Sequence, residues 1–197
     1  MKKALFVILL LVLAVVGTKD SIIQPRNDAI SLRSRAVPPM EIQRPKPAPS
    51  GIAPARLFIP ALDIHADIET VHVLDNGQMG VPESTDKVGY LSNGVLPGAI
   101  GNAVMDGHVD SYVGPAVFFS LRTLTKGDIV IVKDERGKAI EFAVEAVETY
   151  PTDAAPIGKI FGSTKEPRLN LITCSGKYSR KKREHLERLV VFTKRIG

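Results

Sequence analysis

One thiol is the most reactive group in the sequence. Cys174 is the only cysteine among 197 residues, which excludes an internal disulfide and a paired-cysteine metal site. It ends a strand-like run that starts at Leu169, and Ser175-Gly176 follows at once, which indicates a thiol where a strand meets a loop. A lone cysteine is more commonly a small buried hydrophobic residue. A thiol with a pKa of about 8.5 is mostly protonated at neutral pH, so catalysis would need a nearby cation or imidazole.

Two residues elsewhere in the chain could activate this thiol. His108 follows the strand-like run Ala103 to Met105, and Arg188 opens the last such run. They lie 66 and 14 residues from Cys174, but strand edges that are distant in sequence can converge in a barrel. From spacing alone, Arg188 could equally be a surface strand residue and His108 a turn histidine, and His185 is a rival base.

Short strand-like runs punctuated by turn residues predict an all-β domain, either a closed barrel or a sandwich. A helix is predicted over Ala116 to Leu124, with Val117, Leu121 and Leu124 on its buried face. The seven clearest strand-like runs cover residues 56–59, 66–71, 103–105, 128–132, 140–147, 169–174 and 188–193.

The N-terminus has the pattern of an export signal. Lys2 and Lys3 precede thirteen consecutive apolar residues, 4–16. About fifteen helical residues span roughly 22 Å, short of the roughly 30 Å hydrocarbon core, so a cleavable signal peptide remains possible. Because the small-residue cleavage pattern is poor, we favour an uncleaved single-pass anchor over residues 1–18, with all that follows outside the cell.

A linker is predicted between this segment and the folded domain at residues 55–197. Residues 19–54 contain seven prolines and little hydrophobic periodicity. Such a stretch would reach roughly 35 Å as a flexible coil and up to about 110 Å as polyproline II. A disordered propeptide is the alternative.

The charge of the chain argues against nucleic-acid binding. Residues 1–54 hold 8 Lys or Arg against 3 Asp or Glu and so account for the net charge of +5, whereas residues 55–197 balance at 18 against 18.

The run Lys177 to Arg183 contains five cations. It is either a solvated loop or a site that steers an anionic partner. His65 and His72 lack carboxylate partners at ligand spacing, so no metal is expected.

Three motifs in order resemble those of the sortase family. Leu171-Ile172-Thr173-Cys174 matches its Thr-Leu-x-Thr-Cys signature from the second position on, although Asn170 stands where the signature usually has Thr. Gly107-His108 and Arg188 to Val191 match the other two sortase sites. Further segments resemble the class F branch, and the similarity covers about residues 56 to 195. These segments are residues 56–60, 88–90, 96–98, 107–111, 114–118 and 124–128.

The resemblance implies a closed eight-stranded β-barrel with one or two short helices. It implies a cysteine transpeptidase that cleaves a Leu-Pro-x-Thr-Gly-type sorting motif between Thr and Gly and transfers the protein to an amine of a cell-wall precursor. Cys174 would be the nucleophile, His108 the proton-transfer partner and Arg188 the cation at the reacting carbonyl. Thr173, Ser175 and Asn102 are candidate substrate contacts. No cofactor or metal is implied, and the expected partners are surface proteins with a sorting motif, the precursor amine and the membrane.

Three other interpretations compete with a transpeptidase. The nearest is a hydrolase of the same motif, because water can also consume a thioester. An L,D-transpeptidase would place His two residues before the cysteine, where this chain has Ile172. A non-catalytic membrane-tethered β-domain would not need Cys174. A monomer is expected in each case.

Overall fold

The computed structural model describes residues 48–197, and nearly all of their regular structure is β-strand. The predicted anchor at residues 1–18 and most of the predicted linker, residues 19–47, lie outside the described residues. Within the described range, no helix has both the length and the apolar character that a membrane span requires.

Eight strands close into a barrel in the order β1-β2-β3-β4-β9-β10-β8-β7, as the sequence predicted. The other two strands, β5 and β6, form a separate small hairpin. The elements are β1 (Arg56–Ile59), β2 (Ile64–Val71), β3 (Val88–Leu91), β4 (Gly101–Asp106), β5 (Asp110–Ser111), β6 (Gly114–Pro115), β7 (Ile129–Lys133), β8 (Ala139–Pro151), α1 (Ile157–Phe161), β9 (Pro167–Ser179) and β10 (Glu184–Ile196).

The strands β4, β9 and β10 have two differently packed faces. Leu171 of β9 and Leu189 of β10 belong to the large cluster that fills the barrel. Val190 of β10 packs instead in a smaller cluster with Ile160 of α1, on the outside. Because successive side chains alternate between the faces of a strand, the even-numbered positions of β9 and β10 share the outer face. Cys174 and Arg188 therefore lie outside the barrel core.

The predicted helix over Ala116 to Leu124 is wrong. This stretch forms turns followed by a single 3-10 turn at Leu121–Thr123. Its buried side chains are Phe118, Leu121 and Leu124, whereas Val117 is only partly buried. The stretch is rich in β-branched and aromatic residues with weak helix propensity and is too short to offset the cost of helix nucleation.

The strands around the predicted site are longer than the sequence indicated. β9 continues past Cys174 to Ser179, and β10 begins at Glu184, before Arg188. The sequence predicted a loop directly after Cys174, but residues 175–179 continue β9 and form one strand of the β9–β10 hairpin. The pairing register shifts between His185 and Glu187, and Gly176 faces this bulge with a φ of 72°. The bulge accommodates one extra residue, so the polar residues that follow Cys174 on β9 still pair with β10.

Candidate active site

Cys174 and Arg188 are direct partners in the antiparallel ladder between β9 and β10. Residues directly opposite each other in such a ladder have Cβ atoms about 4.5 to 5.5 Å apart and point to the same face. The two side chains therefore leave the ladder on the same face, and the positive charge of Arg188 is near enough to act on the thiol. The backbone ladder, and not a flexible loop, fixes their relative position.

His108 follows the neighbouring strand, β4, which ends two residues before it. β4 runs parallel to β9, with Asp106 opposite Ile172, and the Gly107 N–H donates to the Ile172 carbonyl at 3.2 Å. Continuing this register for two residues past the end of β4 would bring His108 level with Cys174. His108 thus lies in the segment just past β4, beside the ladder that carries Cys174 and Arg188.

Two contacts hold the backbone that carries His108. The Thr173 hydroxyl donates to the Gly107 carbonyl at 2.7 Å, from a residue that is buried. A Cβ at Gly107 would lie 2.8 Å from the Phe118 ring, so only glycine lets this buried ring pack against the strand end. These contacts give a physical reason for a glycine directly before the histidine and for a threonine directly before the cysteine.

The His108 ring has one nitrogen free for proton transfer. Its Nε2 lies 2.8 Å from the Pro82 carbonyl oxygen. A carbonyl oxygen only accepts hydrogen bonds, so Nε2 carries a hydrogen and donates it. Nδ1 has no hydrogen-bond partner among the described residues. Nδ1 is therefore the atom that can take or give a proton, while Pro82 sets the ring orientation.

His185 also lies at the cleft, but its two nitrogens are both engaged. Nδ1 is 3.0 Å from the Gly176 carbonyl oxygen, and Nε2 is 3.3 Å from Asp110 Oδ1. Both partners are acceptors, so each ring nitrogen lies against an oxygen of the protein and neither faces an open position for a substrate proton. His185 links β10 to Asp110 at the start of β5. This arrangement disfavours His185 as the base.

The Arg188 guanidinium is anchored on one side. Its Nη1 lies 3.0 Å from each of three oxygens: Thr152 Oγ1, the His185 carbonyl and the Glu187 carbonyl. Its Nη2 is 3.7 Å from the Glu184 carboxylate. Among the described residues, Nε has no hydrogen-bond partner. The charge is thus held in place while Nε–H remains available to a further acceptor.

Burial raises the pKa of the Cys174 thiol above its usual value, and the positive charge of Arg188 opposes that rise. The carboxylates of Asp110, Asp106 and Glu184 raise this pKa further. The resting thiol is therefore protonated near neutral pH, so nucleophilic attack requires a group that accepts its proton.

A cleft of about 100 Å³ opens beside the thiol. Cys174, Thr173, Ser175, Asp110 and His185 are among its lining residues. The predicted contacts Thr173 and Ser175 thus lie at this cleft.

Within residues 48–197, no group of three His, Cys, Asp or Glu side chains is arranged to hold a metal ion.

Comparison with known proteins identifies the family. The family model of the sortase domain matches residues 57–196. The chain belongs to the sortase family.

Solved structures with the same fold include several sortases. Sortase A from Corynebacterium diphtheriae is 22% identical with a TM-score of 0.57, and the match covers 75% of this chain and 62% of that one. Sortase C-1 from Actinomyces oris is 23% identical with a TM-score of 0.57, covering 74% and 76%. Sortase C1 from Streptococcus agalactiae is 20% identical with a TM-score of 0.57, covering 73% and 67%. No curated protein matches the sequence significantly.

Asn102 of this sortase lies away from the thiol. It is on β4, six residues before His108, which corresponds to roughly 20 Å of extended strand. Its Nδ2 donates to the Gly162 carbonyl at 2.7 Å, beside a larger cavity of about 410 Å³ that Lys159 and Phe192 also line. The structure does not bring Asn102 to Cys174. The smaller cleft contains the thiol, whereas His108 and Arg188 are not among its lining residues.

Several groups that shape this sortase site could not be recognised in the sequence. Pro82 acts through its backbone carbonyl, which any residue could supply. Thr152 reaches Arg188 from 36 positions away through one hydroxyl. Asp110 is two residues from His108 in the sequence, but its hydrogen bond to His185 depends on the contact between the β5–β6 and β9–β10 hairpins. None of these contacts follows from a local motif.

Proposed function

We propose that this sortase is a cysteine transpeptidase of class F that cleaves a Leu-Pro-x-Thr-Gly-type motif between Thr and Gly. It would transfer the new carboxyl end to an amine of a cell-wall precursor. The observation that supports the proposal is the direct pairing of Cys174 with Arg188 beside the end of β4, which His108 follows two residues later. The class F part rests on the sequence segments 107–111 and 114–118.

The first half of the reaction breaks the Thr–Gly amide. The Cys174 thiol gives its proton to His108 Nδ1 while its sulfur attacks the Thr carbonyl carbon. Negative charge develops on the carbonyl oxygen, where the Arg188 guanidinium opposes it. His108 then returns the proton to the departing Gly nitrogen, and a thioester remains on Cys174.

The second half restores the enzyme. An incoming amine attacks the thioester carbonyl, and His108 takes the proton that the amine loses. The carbon–sulfur bond breaks, a new amide forms and the proton returns to the Cys174 sulfur. The thioester retains enough free energy for amide formation, so no cofactor is consumed.

We propose that residues 55–197 are the catalytic domain, residues 19–54 a linker and residues 1–18 a membrane anchor. The balanced charge of the domain and the basic, proline-rich character of residues 19–54 support this division. The domain would then act outside the cell on surface proteins that carry the motif.

The test uses the full chain in detergent micelles with a quenched fluorescent peptide that contains Leu-Pro-Ala-Thr-Gly. Reactions run with and without triglycine, and mass spectrometry identifies the products. We expect cleavage after Thr and a triglycine-linked product, with Cys174→Ala lowering the rate by about a thousandfold or more and the exposed control Ser163→Ala retaining activity. Hydrolysed product alone, even at high triglycine concentration, would support a hydrolase. Cleavage that survives in Cys174→Ala would refute the mechanism.

A further inference from the structure

Two hairpins border the active-site cleft. The first, β5–β6, carries Tyr112 and Val113 in its turn, here called the apolar tip. The second joins β9 to β10, and its residues 177–183 are called the cationic hairpin. Neither the apolar tip nor the cationic hairpin takes part in the chemistry proposed above.

The apolar tip is held out into solvent. Tyr112 and Val113 are 108% and 96% exposed, so neither side chain packs against the domain. The turn is nevertheless well defined, because the Ser111 hydroxyl accepts from the Val113 N–H and donates to the Gly114 carbonyl, both at 3.2 Å. A rigid turn that presents an aromatic and a β-branched side chain to water is typical of a contact surface.

The cationic hairpin concentrates positive charge that the rest of the domain does not neutralise. Its five basic side chains are exposed, and none of them forms a salt bridge within residues 48–197. Its turn is ordered, with the Arg183 N–H donating to the Ser179 carbonyl at 2.7 Å. The basic residues are Lys177, Arg180, Lys181, Lys182 and Arg183.

The two hairpins meet at their bases. His185 donates to Asp110 at 3.3 Å, which joins the start of β10 to the start of β5. The Tyr178 ring meets the His185 ring edge to face, with centroids 5.3 Å apart. Tyr178 is also 48% exposed, and Leu186 is 40% exposed. Apolar and cationic groups are thus combined on one rim of the cleft.

We propose that the apolar tip and the cationic hairpin dock the rim of the cleft on an anionic lipid bilayer. Lys and Arg side chains are attracted to anionic headgroups, and tyrosine is favoured at the boundary between headgroups and acyl chains. A soluble anionic polymer could bind the cations but offers no apolar phase to Tyr112 and Val113. The combination therefore favours a membrane over a wall polymer.

Docking would give the tethered domain a defined orientation. The predicted linker, residues 19–54, reaches far enough to leave the domain free to turn in any direction. It also keeps the domain at high effective concentration near the bilayer, so a weak attraction is sufficient. This inference rests on the anchor and linker of the proposed function and goes beyond it by assigning a surface and not a reaction step.

The test uses the absence of tryptophan from the chain. Full chains that carry Tyr112→Trp as their single tryptophan are reconstituted into vesicles of phosphatidylcholine, with or without phosphatidylglycerol. Brominated phosphatidylcholine then quenches any tryptophan that enters the bilayer. We expect emission from position 112 to fall by about twofold or more in the anionic vesicles and by clearly less in the neutral ones.

The matched control is Ile196→Trp, at the other end of β10 and 42% exposed, which should not be quenched. Lys181→Glu with Lys182→Glu should abolish the quenching at position 112, whereas Lys126→Glu with Lys138→Glu, two exposed turn lysines, should not. Equal quenching at positions 112 and 196, or none at 112, would overturn the proposal.

Two further outcomes would also overturn it. One is quenching at position 112 that does not depend on phosphatidylglycerol. The other is binding of polyphosphate to the cationic hairpin without quenching by lipid, which would assign this surface to a polymer. Because the readout is fluorescence, the experiment can be repeated in the Cys174→Ala background, so its result is independent of transpeptidase activity.

Discussion

Cys174 on β9 and Arg188 on β10 face each other across a continuous antiparallel ladder. A site built on paired strands holds its reacting groups more accurately than one built on loops. The Arg188 guanidinium is also fixed by Thr152 and by two backbone carbonyls. The cation is therefore positioned before substrate arrives, as electrostatic stabilisation of a developing charge requires.

Arg188→Ala should lower kcat/KM for peptide cleavage by about a hundredfold or more, because the developing oxyanion loses its charged partner. It should also slow alkylation of Cys174 by iodoacetamide at neutral pH, since Arg188 holds the thiol pKa down against the effect of burial. Arg188→Lys should recover part of both losses. Arg136→Ala, in an exposed turn, is the matched control. Unchanged alkylation and cleavage in Arg188→Ala would contradict this role.

The two histidines at the site should differ sharply. His108→Ala should reduce cleavage by about a hundredfold to ten-thousandfold, because the proposed mechanism assigns the proton transfer to the free Nδ1 of this ring. Added imidazole should restore part of the rate. His185→Ala should cost far less, since its two nitrogens already lie against the Gly176 carbonyl oxygen and Asp110. Steady-state rates of the two variants measure this, and a larger loss in His185→Ala would reverse the assignment.

Asp106 should make stability depend on pH. Burial raises its pKa to about 7, and its Oδ1 has no hydrogen-bond partner among the described residues. The folded state therefore binds the proton more tightly than the unfolded state, and stability falls as pH rises from about 4 to about 7. The full cost at higher pH is up to about 4 kcal/mol.

Asp106→Asn should remove this dependence. Its melting temperature should exceed that of the parent chain by an amount that grows between about pH 4 and pH 7 and is constant above that range. The same variant should alkylate faster at Cys174, because ionised Asp106 raises the thiol pKa. Asp75→Asn, an exposed turn residue, is the control. A melting-temperature difference that shrinks as pH rises would contradict the sign.

Gly107→Ala should damage the site through packing. The added Cβ would lie 2.8 Å from side-chain atoms of both Phe118 and Val117, so the backbone that carries His108 must move. We expect a stability loss of about 1 to 3 kcal/mol in chemical denaturation and a larger loss of activity than of stability. Gly158→Ala in α1, where a Cβ meets nothing within 4 Å, should change neither. If Gly107→Ala had the activity of the parent chain, the backbone before His108 would accommodate the added Cβ, and the prediction would be wrong.

The strand pattern predicted an all-β domain and the family resemblance predicted the closed barrel, but neither predicted the local structure around the site. Alternating apolar residues set the inner face of β9 and β10, so their strands and the all-β class could be predicted. The segment at Phe118 could not, because its burial comes from a contact with Gly107 on another element. A single sequence also gives no sign that β9 continues past Cys174, since residues 175–179 are small or polar and pair only because β10 lies beside them.

The most direct test of the central claim is the mass of the full chain after reaction with a Leu-Pro-Ala-Thr-Gly peptide without any added amine. The account predicts a covalent adduct with the mass of the peptide up to Thr, located on Cys174 by proteolysis and tandem mass spectrometry and released by hydroxylamine. An adduct on another residue, or one that still forms in Cys174→Ala, would contradict it.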